Sequence, residues 1–376
     1  MLPKFIPVNE PLLDSNEKKY LNECIDSGWI SSEGSFVKKF EESFAKIVNR
    51  KFGIAVCNGT AALDLALKVL NLPVASEVIM PTFTIISCAA AIIRNNLKPV
   101  LVDSDPITWN MDVNSIEKKI TEKTKAIMIV HIYGFPVDVD PILKLAKKYN
   151  LKVIEDAAEM HGQFYKGKPC GSFGDISIFS FYPNKHITTG EGGMVVTDDE
   201  KLAKKCEYFR NLCFKKEKRF IHDDLGFNYR ITNLQAAVGL AQLEKLNEHV
   251  NKKREIGKFY TKSFKDIDFL QLPLEETEYA NNIYWVYGIV LKKNYPHDAE
   301  FIMKELSKVG IGTRPFFWPM HEQPIFKKMD LFKNENYPIS ENIARRGFYI
   351  PSGLGISLEQ MKIVAKKVKE VLYASF

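Results

Sequence analysis

A lysine and a histidine are neighbours in the stretch FSFYPNKHITTGEGG, which covers residues 179–193. Lys185 follows an apolar run and precedes a glycine-rich turn. A lysine whose surroundings lower its pKa becomes a nucleophilic amine that forms Schiff bases with carbonyl groups. The stretch matches neither of the glycine-rich patterns that cradle phosphates at the start of a helix. Covalent chemistry is therefore a candidate role, with Lys185 or His186 as the base.

Acidic residues end a second apolar run. The segment VIEDAAEMHG carries Glu155 and Asp156 at the end of the run, and Glu159 follows three residues later. An acid at the end of a buried strand is costly unless a cation pairs with it. A protonated ring nitrogen would be such a partner. A helix-capping aspartate beside a solvated glutamate explains the segment equally well.

A third segment, CNGTAALDLAL at residues 57–67, has the sequence of a strand end, a turn and a helix start. Gly59 lies in the turn and Thr60 opens the helix. Free N–H groups and the positive end of the dipole let a helix N-terminus bind phosphate. Turn formation and capping are the alternative explanation. Together, a phosphate site, a carboxylate for a ring nitrogen and a lysine for an aldehyde are what pyridoxal phosphate requires.

These candidate residues fall at the ends of predicted strands. Short apolar runs alternate with helical patterns, which is typical of a mostly parallel sheet covered on both faces, an α/β fold. Ligands of such sheets bind at the strand ends and the loops that follow. The predicted strands cover residues 52–56, 77–81, 98–103, 126–134, 152–158, 175–181 and 192–198.

The pattern changes near residue 250. A basic helical run is followed by IYWVYGIVL, RPFFWPMHEQP and a final amphipathic helix. We therefore predict a large domain at 1–250, which includes the N-terminal segment, and a smaller α/β domain at 251–376.

Composition narrows the class of protein. The chain has 376 residues, 45% of them hydrophobic and 26% charged, with a net charge of +6. Lysines and glutamates are interleaved, so no segregated basic face predicts nucleic-acid binding. No signal peptide or membrane-spanning run is expected. The six cysteines are scattered, which is typical of reduced thiols and a cytoplasmic protein, and no metal site is predicted.

The segments NGTAAL, VIEDAAE, GDISIFSFYPNK, TTGEGGMV and GFNYR together identify the chain as resembling the DegT/DnrJ/EryC1/StrS aminotransferases. The resemblance runs from residue 28 through the C-terminal part. It implies the aspartate-aminotransferase fold, fold type I, with pyridoxal 5'-phosphate as cofactor. It also implies a homodimer with active sites shared between subunits.

The resemblance assigns residue roles. Lys185 corresponds to the lysine that forms the Schiff base, Asp156 to the acid that pairs with the pyridine nitrogen, and Glu159 to a residue near the cofactor's 3-hydroxyl. The expected phosphate cup and the phosphate contact from the neighbouring subunit comprise Gly59, Thr60, Ala61, Ser180 and Asn228. Ile85 would cover the cofactor ring. The expected acceptor contacts are His186, Arg230, Arg314, Trp318 and His321.

One branch of the family has histidine in place of the Schiff-base lysine and dehydrates its keto sugars. The spacing from Ser180 to TTGEGG puts Lys185 at that position, which favours transamination. Within the family, the chain most resembles enzymes that aminate a GDP-linked 4-keto-6-deoxy sugar for surface polysaccharides, with glutamate as amino donor.

Three departures leave the acceptor open. Ile85 replaces an aromatic residue, RNLCF (210–214) replaces the usual GQG, and FYPNKH replaces FxGNKxI. A small phosphorylated ketone, such as dihydroxyacetone phosphate, or a keto-sugar acid is the alternative acceptor. A non-catalytic regulatory protein on the same fold is a further alternative, against which the intact lysine argues.

Overall fold

The central element of the protein is a seven-stranded sheet. The structure is a computed structural model that describes residues 5–376. Two short strands, β6 (Phe164–Tyr165) and β7 (Lys168–Pro169), form a separate hairpin. The strands of the large sheet are β1 (Phe52–Val56), β2 (Glu77–Pro81), β3 (Lys98–Val102), β4 (Thr124–Val130), β5 (Lys152–Asp156), β8 (Ile176–Ser180) and β9 (Gly193–Thr197).

The sheet has the order β1-β9-β8-β5-β4-β2-β3. β9 is antiparallel to both of its neighbours, whereas the other pairs are parallel. The predicted mostly parallel seven-stranded α/β fold is therefore confirmed. β4 and β5 end earlier than the predicted runs. After β4 the chain turns at Tyr133 and Gly134, which adopt φ values of 55° and 96°.

Helices cover both faces of this sheet. Alternate strand residues belong to different hydrophobic clusters: Ile154 packs with α3 and α4, whereas Val153 packs with α2, α5 and α7. The helices are α1 (Glu17–Ser27), α2 (Ser35–Ile47), α3 (Gly59–Leu70), α4 (Ile86–Arg94), α5 (Val139–Tyr149), α6 (Glu200–Arg210), α7 (Asn233–Glu244), α8 (Leu246–Phe264), α9 (Ala299–Lys308), α10 (Pro324–Lys328), α11 (Pro338–Arg346) and α12 (Leu358–Ala374).

A second sheet lies in the C-terminal part of the chain. It is four-stranded and antiparallel, in the order β10-β11-β13-β12. Its strands are β10 (Leu270–Gln271), β11 (Tyr287–Leu291), β12 (Arg314–Pro315) and β13 (Gly347–Ile350). α8 continues through the predicted domain boundary at residue 250, and its apolar face packs against this sheet through Tyr260 and Phe264. The exact division into two domains stays a prediction.

The N-terminal segment lies against the C-terminal part. Ile6 forms backbone hydrogen bonds with Gly310 and Gly312, each 2.9 Å long. Its side chain is 5% exposed and belongs to the same hydrophobic cluster as α8, α9 and α12. Asn9 donates its side-chain N–H to the carbonyl oxygen of Pro183 at 3.1 Å, close to the lysine loop. Ile6 and Asn9 thus contact the C-terminal part of the chain and the loop that carries Lys185, respectively.

None of the helices within residues 5–376 combines the length and apolar character needed to cross a membrane.

Candidate active site

A cavity of about 530 Å³ lies at the carboxyl ends of β4, β5 and β8. This is the sheet edge where α/β folds bind ligands, and the volume lies within the range of roughly 300–1,000 Å³ typical of small-molecule sites. The structure brings most of the predicted cofactor residues to its wall: Gly59, Thr60, Ile85, Asp156, Glu159, Ser180 and Lys185.

Lys185 points its amino group into this cavity. Its side chain is 9% exposed, and Nζ lies 3.9 Å from Oε1 of Glu159. Burial lowers the pKa of Lys185, while the charges of Glu159 and Asp156 oppose that shift. A lysine whose pKa is lowered by burial has more of the neutral, nucleophilic amine at neutral pH. The geometry therefore suits the covalent role predicted from the sequence.

Asp156 is the last residue of β5 and is 3% exposed. Its Oδ1 accepts the backbone N–H of Ala158 at 3.0 Å, and its Oδ2 accepts the thiol hydrogen of Cys88 at 3.3 Å. Burial raises the pKa of Asp156, while these hydrogen bonds and the charge of Lys185 lower it. A buried carboxyl group held in this way is stabilised in its ionised form by a cation in the cavity.

Glu159 links the lysine to the turn after β4. It is 6% exposed, and its Oε2 accepts the backbone N–H of Tyr133 at 2.6 Å. This hydrogen bond supports the positive φ of Tyr133, a conformation unusual for a bulky residue. Burial raises the pKa of Glu159 to about 8, although the charge of Lys185 counteracts the shift. The carboxyl group can therefore hold or release a proton near neutral pH.

Glu155, the acid next to Asp156 in the sequence, has a structural role. It does not line the cavity, because successive residues of a strand point to opposite faces. Its carboxylate accepts the backbone N–H groups of Gly171 at 2.6 Å and Phe173 at 2.9 Å. It also lies 3.0 Å from Nε2 of His131, whose Nδ1 accepts the N–H of Val137 at 3.1 Å. These hydrogen bonds offset the free-energy cost of burying the Glu155 carboxylate.

The phosphate cup predicted at the start of α3 has a suitable set of donors. The hydroxyls of Thr60 and Ser87 are 2.9 Å apart, and Ser180 faces them across the cavity wall. A Cβ at Gly59 would lie 2.8 Å from Cβ of Ser180, so only glycine leaves room for this approach. Hydroxyls beside a helix N-terminus are chemistry that fits a phosphate. The residues present therefore fit pyridoxal phosphate.

Ala61 does not line this cup. Its N–H donates to the side chain of the helix cap, Asn58, at 2.8 Å, so it is already satisfied within the helix. The structure thus places Gly59 and Thr60 on the cavity wall and leaves Ala61 behind it.

His186 points away from the cavity. It is 0% exposed, and its Nε2 lies 3.0 Å from the carbonyl oxygen of Ile283, to which it donates. Burial lowers the pKa of His186 well below its usual range. Of the two neighbouring bases, Lys185 alone faces the cavity, which answers the question that the sequence raised. The predicted contact between His186 and substrate has no support in this geometry.

Asn228 and Arg230 also lie outside this cavity. Nε of Arg230 donates to Oδ1 of Asn228 at 2.9 Å, and Nη1 donates to Oδ1 of Asn211 at 2.7 Å. Asn228 is exposed. Their predicted roles near a phosphate and a substrate require a second subunit, and these roles stay predictions.

The acceptor residues predicted in the RPFFWPMHEQP loop occupy different positions. Arg314 pairs with Tyr349 across β12 and β13, and Tyr349 lines the cavity whereas Arg314 does not. Trp318 is 44% exposed and does not line the cavity. His321 is buried, and both of its ring nitrogens have hydrogen-bond partners. Nδ1 lies 2.9 Å from Oγ1 of Thr82, and Nε2 lies 3.1 Å from Oε1 of Glu341. A direct substrate contact by His321 is therefore not supported.

Several cavity residues were not predicted from the sequence. The most informative are Ser87, Asn184, Trp285 and Tyr349. Ser87 lies in the first turn of α4, two residues after Ile85, and no sequence motif marks it. Trp285 and Tyr349 are far from Lys185 in the sequence, and no local pattern relates them to it. Oδ1 of Asn184 is buried without a hydrogen-bond partner among the described residues, so it is available to a ligand.

Comparison with known proteins places the chain in a family. The model of the DegT/DnrJ/EryC1/StrS aminotransferase family matches residues 11–369. The chain is 44% identical to GDP-perosamine synthase from Escherichia coli O157:H7, over 98% of each chain. It is 35% identical to the putative pyridoxal phosphate-dependent aminotransferase EpsN from Bacillus subtilis, over 95% of this chain and 93% of that one.

A solved structure agrees with these matches. PseC from Helicobacter pylori, an aminotransferase involved in the biosynthesis of pseudoaminic acid, superimposes with a TM-score of 0.94 at 27% identity. The match covers 99% of this chain and 100% of that chain. The chain therefore belongs to the DegT/DnrJ/EryC1/StrS family and is a pyridoxal-phosphate-dependent aminotransferase.

Proposed function

We propose that the protein transfers an amino group from glutamate to the 4-keto carbon of GDP-4-keto-6-deoxymannose, in the synthesis of a surface polysaccharide. The observation that carries this proposal is the 44% identity over 98% of the chain to a GDP-perosamine synthase. Relatives at 38% and 40% identity, from Vibrio cholerae and Caulobacter vibrioides, have the same name.

Each part of the cavity has a role in this reaction. Bound pyridoxal phosphate supplies an aldehyde that carries the amino group and a ring that withdraws electrons from the reacting carbon. Lys185 would hold that aldehyde through its amine, and its Nζ would move the proton at the reacting carbon. Asp156 would hold the proton on the ring nitrogen. Ser180, Thr60 and the N-terminus of α3 hold the phosphate.

The aromatic part of the cavity wall suits a sugar ring. Trp285, Phe317, Tyr349 and Tyr182 line it, and the first three belong to one aromatic cluster. Aromatic faces present apolar area at low entropic cost, and their hydroxyls and N–H groups orient polar ligands. Ile85 lies on the same cavity and is 44% exposed, so it offers an aliphatic cover for the cofactor ring. A three-carbon ketone would leave much of this wall without contact.

Steady-state kinetics distinguishes the two acceptors. With glutamate as donor, we expect kcat/KM for GDP-4-keto-6-deoxymannose to exceed that for dihydroxyacetone phosphate by at least tenfold. Tenfold corresponds to about 1.4 kcal/mol of transition-state stabilisation. Product mass spectrometry identifies the aminated compound. A tenfold preference for dihydroxyacetone phosphate would reverse the assignment. A free keto-sugar acid is measured as the third substrate in the same assay.

We further propose that the active enzyme is a homodimer whose subunits complete each other's sites, and that it works in the cytoplasm. Exposed Asn228, with half-buried Arg230 bonded to it, supports the first proposal, because this pair presents an amide and a guanidinium group on a loop outside its own cavity. The six free cysteines, most of them buried, suit a reducing compartment.

Mixing two inactive variants tests the shared site. Lys185→Ala and Asn228→Ala proteins, unfolded together and refolded as a mixture, should regain up to about a quarter of wild-type activity. Half of the dimers formed are mixed, and each mixed dimer has one site with both native residues. The two proteins refolded separately are the controls. An active monomer in sedimentation velocity, or no recovery by mixed dimers, would contradict the shared site.

A further inference from the structure

Trp285 contacts the lysine loop from the C-terminal part of the chain. It lies two residues before β11, is 4% exposed and lines the cavity. Its indole N–H donates to the carbonyl oxygen of Asn184 at 2.9 Å. That carbonyl belongs to the peptide bond preceding Lys185. The indole is therefore hydrogen-bonded to the backbone that carries the reactive lysine.

The face of the same indole holds the amino group of the lysine. Nζ of Lys185 lies 3.9 Å from the ring centroid, and it is also 3.9 Å from Oε1 of Glu159. A tryptophan face attracts an ammonium group, and the attraction grows when the pair is removed from water. Trp285 thus contacts both the backbone and the amino group of Lys185.

The backbone of Trp285 is itself held from behind. Nζ of Lys253 donates to the carbonyl oxygens of Trp285 at 2.8 Å and Ser352 at 2.6 Å. Lys253 is 2% exposed, and burial lowers its pKa to about 7. A Cβ at Gly134 would lie 2.5 Å from the nitrogen of Trp285, so the turn after β4 packs directly against it. The indole therefore has little freedom to move.

We propose that Trp285 is a positioning residue for Lys185. Its N–H fixes the loop, and its ring holds the released amino group beside Glu159 whenever that group is not joined to the cofactor. The proposal rests on the covalent role of Lys185 and extends it. Transfer of an amino group in two halves frees this lysine in every cycle, and the ring keeps the freed amine within reach of the reacting centre.

Labelling of the free amine tests this role. Full-length protein freed of cofactor is treated with acetic anhydride, and acetylation of Lys185 is followed by peptide mass spectrometry. In Trp285→Leu the ammonium loses its ring partner, so at neutral pH we expect labelling to be about tenfold faster, the equivalent of about 1.4 kcal/mol. At alkaline pH, where the amine is neutral in both proteins, the rates should converge. Trp285→Phe keeps a ring face and should label at a rate close to that of the wild type.

Trp109→Leu is the matched control. Trp109 is also buried, and its ring packs edge-on to Tyr133 in the same cluster, but it does not line the cavity. Its loss should leave Lys185 labelling unchanged. The proposal is overturned if Trp285→Leu labels as the wild type does, if its rate is raised equally at every pH, or if Trp109→Leu has the same effect.

Two additions keep the test decisive. If Trp285→Leu does not fold, protein made with a trifluorinated tryptophan replaces it, because fluorine withdraws electron density from the indole ring while the ring stays in place. Unchanged labelling of Lys185 at neutral pH in that protein would refute the proposal. Added pyridoxal phosphate should protect Lys185 from acetylation in the wild-type protein. Failure of that protection would refute the covalent role of Lys185, independently of the tryptophan result.

Discussion

We expect Lys185→Ala to lose transamination completely, with a fall in turnover of about 10⁴-fold or more, since one side chain supplies both the nucleophilic amine and the proton transfer. The structure strengthens this expectation because Nζ points into the cavity and has Glu159 at 3.9 Å. The variant should also lose the visible absorbance that the lysine–cofactor linkage gives. Near-native turnover, measured with glutamate and the sugar nucleotide, would show that another residue is the base.

His186→Ala is the matched control for this experiment. The two residues are adjacent, yet the ring of His186 is turned to the carbonyl oxygen of Ile283, behind the cavity. We expect this variant to keep the visible absorbance and to lose stability instead, because a buried donor is removed and a void is left. If His186→Ala loses the linkage while Lys185→Ala retains it, the assignment of the two bases is reversed.

Asp156→Asn should lower turnover by about two to three orders of magnitude. The change keeps the shape and the acceptor for the N–H of Ala158, but it removes the charge that holds a proton on the ring nitrogen. Breaking one side of a buried charge pair costs about 3–5 kcal/mol. Single-turnover kinetics with glutamate measures the effect on the first half of the reaction. A mild effect with cofactor still bound would remove Asp156 from this role.

Glu155→Gln separates the two adjacent acids. Glu155 accepts hydrogen bonds from Gly171, Phe173 and Ser177, and it takes no part in the cavity. We expect a lower midpoint of thermal unfolding and near-normal turnover per folded protein, because a neutral amide cannot replace a carboxylate that accepts several N–H groups. A loss of turnover as large as that of Asp156→Asn would mean that both acids serve the cofactor.

The sheet could be predicted from the sequence because its strands are continuous apolar, β-branched runs. The predicted segments 52–56 and 77–81 agree with β1 and β2 to the residue. The segment 126–134 was too long, since HIYG continues the apolar run although Tyr133 and Gly134 turn the chain. Hydrophobicity alone does not reveal this turn, in which the N–H of Tyr133 donates to the carboxylate of Glu159.

The site was only partly predictable, for a physical reason. Residues carried on one strand end and its loop, such as Asp156 and Glu159, come together because the local backbone brings them together. Residues contributed from distant segments, such as Trp285 and Tyr349, meet Lys185 only through packing of the second sheet. The resemblance selected Lys185 over His186, but the sequence did not predict the direction of the histidine ring, which is set by its hydrogen bond to the buried carbonyl oxygen of Ile283.

The contact of the first residues with the last part of the chain has a consequence for synthesis on the ribosome. Ile6 finds its partners at Gly310 and Gly312, and the N–H of Ser352 bonds to the carbonyl of Val8. Such distant partners make loop closure late and slow. A nascent chain can assemble β1 to β9 and still lack Trp285 and the residues at 310, 312 and 352 that bond to Ile6 and Val8. The lysine loop therefore receives the hydrogen bond from Trp285 to the carbonyl oxygen of Asn184 only after about a hundred further residues have been added to the chain.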